Sequence, residues 1–312
     1  MVSSSPFPPL EEMPLLPITS QQTVAACQAL DVTDNDIFVC SYPKSGTTWT
    51  QNLVCRLLAA NVGMSFEGNW HLSHSAPFYE VDQYWKGNDR IPPKTPIQGK
   101  GKSYRVFNTH LRPHQLPPNA KCIYVVRDSL DVLTSFYYHL ANQLKIDQGK
   151  YTGTPEQFCS DFVNGTILYG KWQDHLEDWL GKSDSKRKIH VMQYADMKKD
   201  LIKEATRLAI FLGVDEPRIV ETNVVPHCTF SAMRAERWRY TPVSVEWEND
   251  ERTGKPYDNF VRTGRIGDGS AFREQHFSEN LKKQWQNDLV LARARCLYAG
   301  VDDQLIQRYL GS

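Results

Sequence analysis

The sequence predicts an α/β protein with a central, mostly parallel sheet that is flanked by helices. Short apolar runs typical of buried strands alternate with longer stretches in which apolar residues recur every three to four positions. Strands that alternate with helices favour a parallel sheet, because the helical crossovers cover both of its faces. The 312 residues suffice for one large domain, and we expect an irregular arm at 1–17 followed by a single domain at 18–312.

The N-terminal arm carries five prolines within its 17 residues, which exclude a regular helix or a central strand. The arm is either a loose terminus or a flap over a substrate. A short helix is expected at 18–31, where it leads into the first strand.

A strand, a glycine loop and a helix follow one another at 36–60. Residues 37–40 are a short apolar run, and from Trp49 onward apolar residues recur every fourth position. A strand that turns directly into a helix presents free N–H groups and the positive end of the helix dipole to an anion. Lys44 adds a positive charge, and Gly46 lets the backbone approach a ligand closely. We therefore predict a site for a phosphate-like ligand in this loop.

The later strands and helices place further polar residues at one edge of the sheet. They are predicted as strands at 104–109, 121–126 and 189–192, and as helices at 130–140, 155–180 and 201–212. Ligands of parallel sheets bind beyond the carboxyl ends of the strands. Lys44, His110, Arg127 and Tyr194 all lie within a few residues of such an end, which favours one shared site.

A long irregular region at 62–102 and the segment 234–260 are both rich in aromatic residues. A loop as long as 62–102 inside a compact domain is usually functional or disordered. The aromatic residues favour a lining role, and Phe78, Tyr79 and Trp85 are our candidates for contact with a substrate. The alternative for each of them is to anchor the loop to the core.

Composition excludes several other classes of protein. The 36 basic and 36 acidic residues balance, which argues against non-specific binding of nucleic acid. No apolar run approaches the ~20 residues that span a membrane, and we recognise no secretory signal. The seven cysteines are scattered without a C-x-x-C pair, so we expect a cytoplasmic protein with neither a disulfide framework nor a metal site.

The order P-K-S-G-T-T-W at 43–49 differs from the ordinary P-loop, in which Lys follows the second Gly. It resembles the signature of the cytosolic sulfotransferases, which use 3′-phosphoadenosine 5′-phosphosulfate (PAPS) and release PAP. The alternative is a strand-to-helix turn that binds nothing. The resemblance implies a P-loop-like cofactor site made by Lys44, Ser45, Gly46, Thr47, Thr48 and Trp49.

Three further segments carry the resemblance. V-V-R-D at 125–128 with S-F-Y-Y-H at 135–139 is similar to the family's segment for the cofactor 3′-phosphate, and 260–268 resembles its R-K-G-x-x-G-D loop. H-C-T-F-S-A-M at 227–233 resembles H-T-S-F-x-x-M, which packs the adenine. The residues that these matches imply for cofactor binding are Arg127, Ser135, Tyr194, Cys228, Thr229, Phe230, Met233, Phe260, Arg262, Thr263 and Gly264.

The chain departs from the family pattern at several of these positions. Cys228 replaces a Thr, Thr263 stands where Lys is usual, and Gly269 stands where Trp is usual. These changes leave the anchoring of the last loop open. Residues 270–285 also lack the K-x-x-x-T-V-x-x-x-E segment through which many members dimerise, so the oligomeric state stays open.

Two residues are candidates for catalysis. His110 titrates near the working pH and can take a hydroxyl proton, as the equivalent His does in the family. Lys44 can stabilise the charge that develops on the leaving phosphate. His114 is a weaker candidate base. Asn108 replaces the Lys of the usual K-T-H, and we expect it to contact the substrate and to give a slower or differently tuned enzyme.

The sequence as a whole predicts a sulfotransferase that moves a sulfuryl group from PAPS to a hydroxyl or amine of a small, aromatic or steroid-like acceptor. We expect no metal, no nucleic acid and no membrane as partners. A kinase or NTPase is less consistent with the sequence, because the Lys after the second Gly is missing. A nucleotide-binding regulatory protein of the same fold is the remaining alternative, and Asn108 is its best support.

Overall fold

The computed structural model describes residues 13–66, 68–85, 96–181, 187–214, 218–249 and 261–310. Its centre is a five-stranded sheet with the strand order β2-β3-β1-β4-β5. β1 pairs in parallel with β3 and β4, β4 pairs in parallel with β5, and β2 is antiparallel to β3. The predicted mostly parallel sheet is confirmed. The strands are β1 at Asp36–Ser41, β2 at Ile97–Gly99, β3 at Lys102–Thr109, β4 at Lys121–Val126 and β5 at Lys188–Gln193.

Helices follow β1, β4 and β5 and cover both faces of the sheet, whereas a short 3₁₀ turn at Pro113–Gln115 joins β3 to β4. They are α1 at Gln21–Gln28, α2 at Thr47–Val62, α3 at Leu72–Ser75, α4 at Ser129–Ala141, α5 at Pro155–Asn164, α6 at Trp172–Gly181, α7 at Tyr194–Lys199, α8 at Leu201–Leu212, α9 at Phe230–Ala235, α10 at Asp268–His276, α11 at Glu279–Tyr298 and α12 at Asp303–Leu310. None of the helices within the described ranges is long and apolar enough to cross a membrane.

The predicted helical stretch at 155–180 is two helices rather than one. Gly165 ends α5 with a φ of 76°, a left-handed conformation that favours glycine and stops a helix. The region 62–102, predicted as irregular, contains α3 and β2. The antiparallel β2 is only three residues long, too short to leave an alternating pattern in the sequence.

The core lies in two layers, one on each face of the sheet. Successive side chains of a strand point to opposite faces. Phe38 and Cys40 of β1 therefore belong to the cluster that packs against α4, α5 and α6, while Ile37 and Val39 pack against α2 and α8. All six residues of β1 are buried, which explains its continuous apolar run.

The N-terminal arm is described only from residue 13 onward. Leu16 is buried, and the Pro14 carbonyl accepts a hydrogen bond of 2.7 Å from the backbone N–H of Tyr169. This end of the arm is thus tied to the loop between α5 and α6. The division at 1–17 and 18–312 stays a prediction.

Candidate active site

The loop between β1 and α2 has the backbone conformation that its sequence predicts. Lys44 and Gly46 both have left-handed φ angles, of 67° and 108°. A Cβ at Gly46 would lie 2.8 Å from Cδ2 of Tyr194, so only glycine fits there. No side chain among the described residues caps α2, and its first N–H groups remain available to an anion.

One cavity of about 230 Å³ opens at the carboxyl ends of the parallel strands. This is where parallel α/β sheets place their ligands. Leu16 of the N-terminal arm also reaches its wall, which is consistent with a flap. The predicted site residues that line the cavity are Lys44, Gly46, Thr47, Thr48, Trp49, Phe78, Asn108, His110, Arg127, Ser135, Tyr194, Phe230, Met233, Arg262, Thr263 and Gly264.

Tyr79 and Trp85, which were predicted to contact the acceptor, anchor their loop to the core, in agreement with the alternative given for them. The hydroxyl of Tyr79 donates to the carbonyl of Cys27 at 2.8 Å, and its ring packs edge-on against Phe38 in the core. Trp85 donates from Nε1 to the carbonyl of Tyr79 at 2.7 Å. In the described part of the chain, neither residue belongs to the cavity wall. His114 is exposed on the turn that follows β3 and is not in the wall either.

Three predicted cofactor residues lie just behind the wall that the described residues form. Cys228 is buried, and its carbonyl accepts a hydrogen bond of 2.6 Å from Nε1 of Trp49, which fixes that ring. Thr229 caps α9, where its Oγ1 accepts from the N–H of Ala232 at 3.2 Å. Ser45 is buried, and its Oγ has no hydrogen-bond partner among the described residues. Phe260 falls outside the described residues.

Arg127 joins the first loop to the C-terminal loop. Its guanidinium donates to the carbonyl of Lys44 at 3.3 Å and to the carbonyl of Arg265 at 3.1 Å. It also lies 4.4 Å from the centre of the Tyr194 ring and 3.7 Å from the carboxylate of Asp131. The side chain is nine-tenths buried or more, so these contacts hold it rigidly at the base of the cavity.

The C-terminal loop departs from the family pattern at Thr263 and Gly269, but neighbouring contacts still anchor it. The Asp131 carboxylate accepts from the backbone N–H groups of Gly267 and Gly269, at 3.0 and 2.9 Å. A Cβ at Gly269 would lie only 2.1 Å from the backbone carbon of Leu130, so no larger residue fits. Thr263 donates to the Asp268 carboxylate at 2.9 Å. The loop is therefore anchored through its backbone and a short polar side chain.

The cavity concentrates positive charge at its cofactor end. Burial, followed by the charges of Arg127 and Arg262, lowers the pKa of Lys44 to about 7. Lys198 also lines the cavity, and four cationic side chains around it favour an anionic ligand with several charges. No group of three or more potential metal-ligating side chains occurs within the described ranges.

The geometry of His110 fixes which nitrogen carries its proton. Nδ1 lies 2.7 Å from the carbonyl oxygen of Ser41, which can only accept a hydrogen bond. The neutral ring therefore carries its proton on Nδ1 and has its lone pair on Nε2. Burial, together with the charge of Lys44, lowers the pKa of His110 to about 4, so the ring is neutral at physiological pH.

Several wall residues are not among the predicted site residues, although one of them, His139, ends the S-F-Y-Y-H segment. His139 follows Ser135 by one helical turn on α4, and that spacing was the available signal. Tyr169 has a left-handed φ of 70° and packs edge-on against His110, with ring centres 5.2 Å apart. In the aromatic segment 234–260, Tyr240 lines the cavity, whereas Trp238 is half exposed. No local pattern marks Tyr169 as a wall residue.

The fold and the cationic cavity define an α/β protein with a site for a multiply charged anion. Residues 34–289 match the family model described as "Sulfotransferase domain". The chain is 32% identical to human sulfotransferase 2B1 over 249 residues, which are 76% of this chain and 61% of that protein. It is 30% identical to mouse sulfotransferase 1E1 over 271 residues, 83% of this chain and 86% of that one.

Two solved structures share the fold. A mouse sulfotransferase, SULT7A1, complexed with PAP matches with a TM-score of 0.65 and 20% identity over 94% of this chain and 95% of that one. Retinol dehydratase in a complex with retinol and PAP matches with a TM-score of 0.62 and 20% identity over 87% and 84%. The chain belongs to the sulfotransferase family, and it is a PAPS-dependent transferase of sulfuryl groups.

Proposed function

We propose that the protein sulfates a hydroxyl or amine of a small, aromatic or steroid-like acceptor, with His110 as general base and Lys44 as stabiliser of the leaving phosphate. One observation carries this proposal. The carbonyl of Ser41 holds the proton of His110 on Nδ1, in the cavity that Lys44 also lines, and so leaves Nε2 ready to accept a proton. A neutral, oriented imidazole is what proton abstraction from a hydroxyl requires.

The cofactor end of the cavity fits PAPS. Arg127, Ser135 and Arg262 would hold the 3′-phosphate, since the guanidinium groups offer forked donors to phosphate oxygens. Lys44, the free N–H groups of α2 and the hydroxyls of Thr47 and Thr48 would hold the 5′-phosphosulfate. Trp49 and Phe230 would enclose the adenine, with Tyr194 and Met233 beside it. The Oγ of Ser45, buried just behind this end and without a hydrogen-bond partner among the described residues, would be a further donor to the phosphate.

His110 and Lys44 would supply the proton acceptor and the positive charge that the transfer needs. His110 Nε2 takes the proton of the acceptor hydroxyl as the new bond from oxygen to sulfur forms. The bond from sulfur to the bridging phosphate oxygen breaks, and Lys44 stabilises the negative charge that develops on that oxygen. By analogy with phosphoryl transfer, we expect an in-line geometry with little covalent work for the protein.

The acceptor end of the cavity is largely apolar. Phe78 packs edge-on against His110 with ring centres 5.3 Å apart, and Leu72, Tyr84 and Tyr240 continue the wall. Aromatic and aliphatic walls with few polar groups favour a flat or hydrophobic acceptor. Retinol dehydratase, one of the proteins with this fold, has been solved with retinol and with androsterone, which supports an acceptor of that kind here.

A catalytically weakened, nucleotide-binding regulatory member of the same family is the second candidate, because Asn108 lines the cavity two residues before His110 where the family usually has Lys. Both candidates predict binding of PAP. They differ in turnover, so an assay of PAPS with a panel of possible acceptors decides between them.

The test incubates the protein with labelled PAPS and a panel of phenols, steroids and amines, without added metal. We expect a sulfated product. His110→Asn should lower kcat by about 10²- to 10⁴-fold, the usual contribution of a general base, with little change in PAP affinity. His114→Asn is the matched control: the same substitution at an exposed position outside the described wall should leave turnover unchanged.

Three outcomes would contradict the proposal. Equal losses in the two variants would remove His110 from the chemistry. Binding of PAP without turnover on any acceptor would favour the regulatory protein. Failure to bind PAP would reject both candidates.

A further inference from the structure

The ammonium group of Lys44 lies beside a second imidazole in the cavity wall. Its Nζ is 3.2 Å from Nδ1 of His139, which lies on α4 one turn after Ser135. Both side chains line the cavity. The ring of His139 packs edge-on against Trp247, with ring centres 5.0 Å apart, so its orientation is fixed from the other side.

Among the described residues, the charged and titratable groups that act on Lys44 or on which it acts come from four elements. Arg127 follows β4 and Arg262 lies on the C-terminal loop, and both guanidinium charges act with burial to oppose the charge of the ammonium. His110 follows β3 and His139 lies on α4, and the charge of Lys44 lowers the pKa of each imidazole. The guanidinium groups only donate hydrogen bonds, so within this set the neutral imidazoles are the possible acceptors, and Nδ1 of His139 lies 3.2 Å from the ammonium.

The contact assigns the tautomer of His139. An ammonium only donates hydrogen bonds, so the Nδ1 that faces it must hold a lone pair. Burial, followed by the charge of Lys44, holds the pKa of His139 well below its usual value, so the ring stays neutral. The two imidazoles thus have opposite tautomers: His110 is protonated on Nδ1 and His139 on Nε2.

We propose that His139 is a positioning residue for Lys44, whose charged amine it holds by accepting a hydrogen bond at Nδ1. The inference rests on the proposed role of Lys44 at the leaving phosphate. Lys44 has a flexible four-carbon stem, and a fixed acceptor restricts where its charge lies. Preorganised charge stabilises a transition state better than charge that must still be oriented.

The proposal predicts a shift in the pH dependence with a definite sign. A hydrogen bond to the charged form raises the pKa of an amine. Removal of the acceptor at His139 therefore lowers the pKa of Lys44 further below its already depressed value of about 7. The amine then loses its proton at a lower pH, and every step that needs the ammonium fails from that pH upward.

Two substitutions separate the hydrogen bond from the volume of the ring. His139→Phe keeps an aromatic ring against Trp247 but removes the acceptor, and we expect kcat to fall about tenfold, as for loss of a charge-assisted hydrogen bond. The alkaline limb of its pH profile should move down by about one unit. His139→Asn places Oδ1 near the position of Nδ1, and it should keep kcat within about threefold of the original protein and leave the limb in place.

Binding of PAP gives a readout that needs no turnover. Its affinity is measured by calorimetry from about pH 6 to about pH 9, across the pH range in which Lys44 titrates. His139→Phe should lose affinity at a lower pH than the unmodified protein, and His139→Asn should follow the unmodified protein. His114→Phe, which adds the same ring at an exposed position, is the control and should not move the curve.

Two results would overturn the proposal. One is a PAP titration of His139→Phe that superimposes on that of the unmodified protein. The other is equal damage in the Phe and Asn variants with unshifted pH curves, which would reduce His139 to a filler of the wall. If no acceptor is ever sulfated, the proposed function fails, yet the PAP titration still decides the role of His139.

Discussion

The two ends of the cavity are built in different ways. The cofactor end depends on backbone conformation: the left-handed φ angles of Lys44 and Gly46, and two backbone N–H groups donated to Asp131. The acceptor end depends on side chains brought together from distant parts of the chain, such as Phe78 and Tyr240. A change of one side chain at the acceptor end leaves the backbone of the cofactor end intact.

A segment that we name the strap, residues 242–249, closes the acceptor end. Its Pro242, Ser244 and Val245 line the cavity. It pairs with the turn after α4: Trp247 bridges to Gln143, and the N–H of Leu144 donates to the carbonyl of Glu246 at 2.8 Å. Ion pairs from Lys145 to Glu246 and from Lys150 to Glu248 lie on the outside. Two ion pairs that solvent and salt can reach thus supplement the backbone pairing and the buried Trp247 in holding the strap.

The largest gain in turnover is expected at Asn108, where the two ends meet. Asn108→Lys would restore a cation near the transferring group. A hydrogen bond from a charged donor contributes about 1.5–3 kcal/mol, so turnover should rise by roughly 10- to 150-fold if the contact forms only in the transition state. The measurement is kcat with the best acceptor of the panel.

The matched control for this gain is Asn108→Gln, which lengthens the side chain without adding charge and should not raise turnover. An unchanged or lower kcat in Asn108→Lys would show that the asparagine is not what limits the rate. A gain in the Gln variant would assign the effect to length and not to charge.

A smaller effect is expected at Gly269, on the backbone of the cofactor end. The added methyl of Gly269→Ala meets the backbone of Leu130 and Asp131 at 2.1 to 2.4 Å, where no flexible side chain can move away. Such overpacking costs about 1–3 kcal/mol, and since it displaces the loop of Arg262, PAP affinity should fall about tenfold. Affinity is measured by calorimetry at a temperature well below unfolding.

Gly181→Ala is the control for the glycine substitution. A Cβ at this end of α6 would make only an ordinary contact of 3.4 Å with Ala299, so PAP affinity should not change. Equal affinity of Gly269→Ala and the unmodified protein would show that the C-terminal loop can move without loss of the cofactor.

The contrast between the cofactor end and the acceptor end also explains how much of the site could be predicted from the sequence. The loop at 43–49 needs glycine and a left-handed backbone, which leave a mark in consecutive residues, and the predicted strands and parallel sheet are confirmed. The strap meets residues about a hundred positions earlier in the chain, so no local pattern marks it. Tyr79 and Trp85 illustrate the same limit, because an aromatic residue in a loop looks alike whether it faces the cavity or the core.

The smallest expected effect concerns the strap. In Glu246→Lys/Glu248→Lys, like charges face Lys145 and Lys150, and the strap should loosen. Exposed ion pairs contribute little each, so we expect KM for the acceptor to rise only about threefold, with PAP affinity unchanged. Adding Lys145→Glu and Lys150→Glu to this double variant, a charge swap, restores opposite charges, so KM for the acceptor should return to its original value. In the unmodified protein, about 0.5 M salt should screen the ion pairs and reproduce the rise in KM. An equal loss of PAP affinity, or a swap that fails to restore KM, would show that the two ends are coupled and not separate.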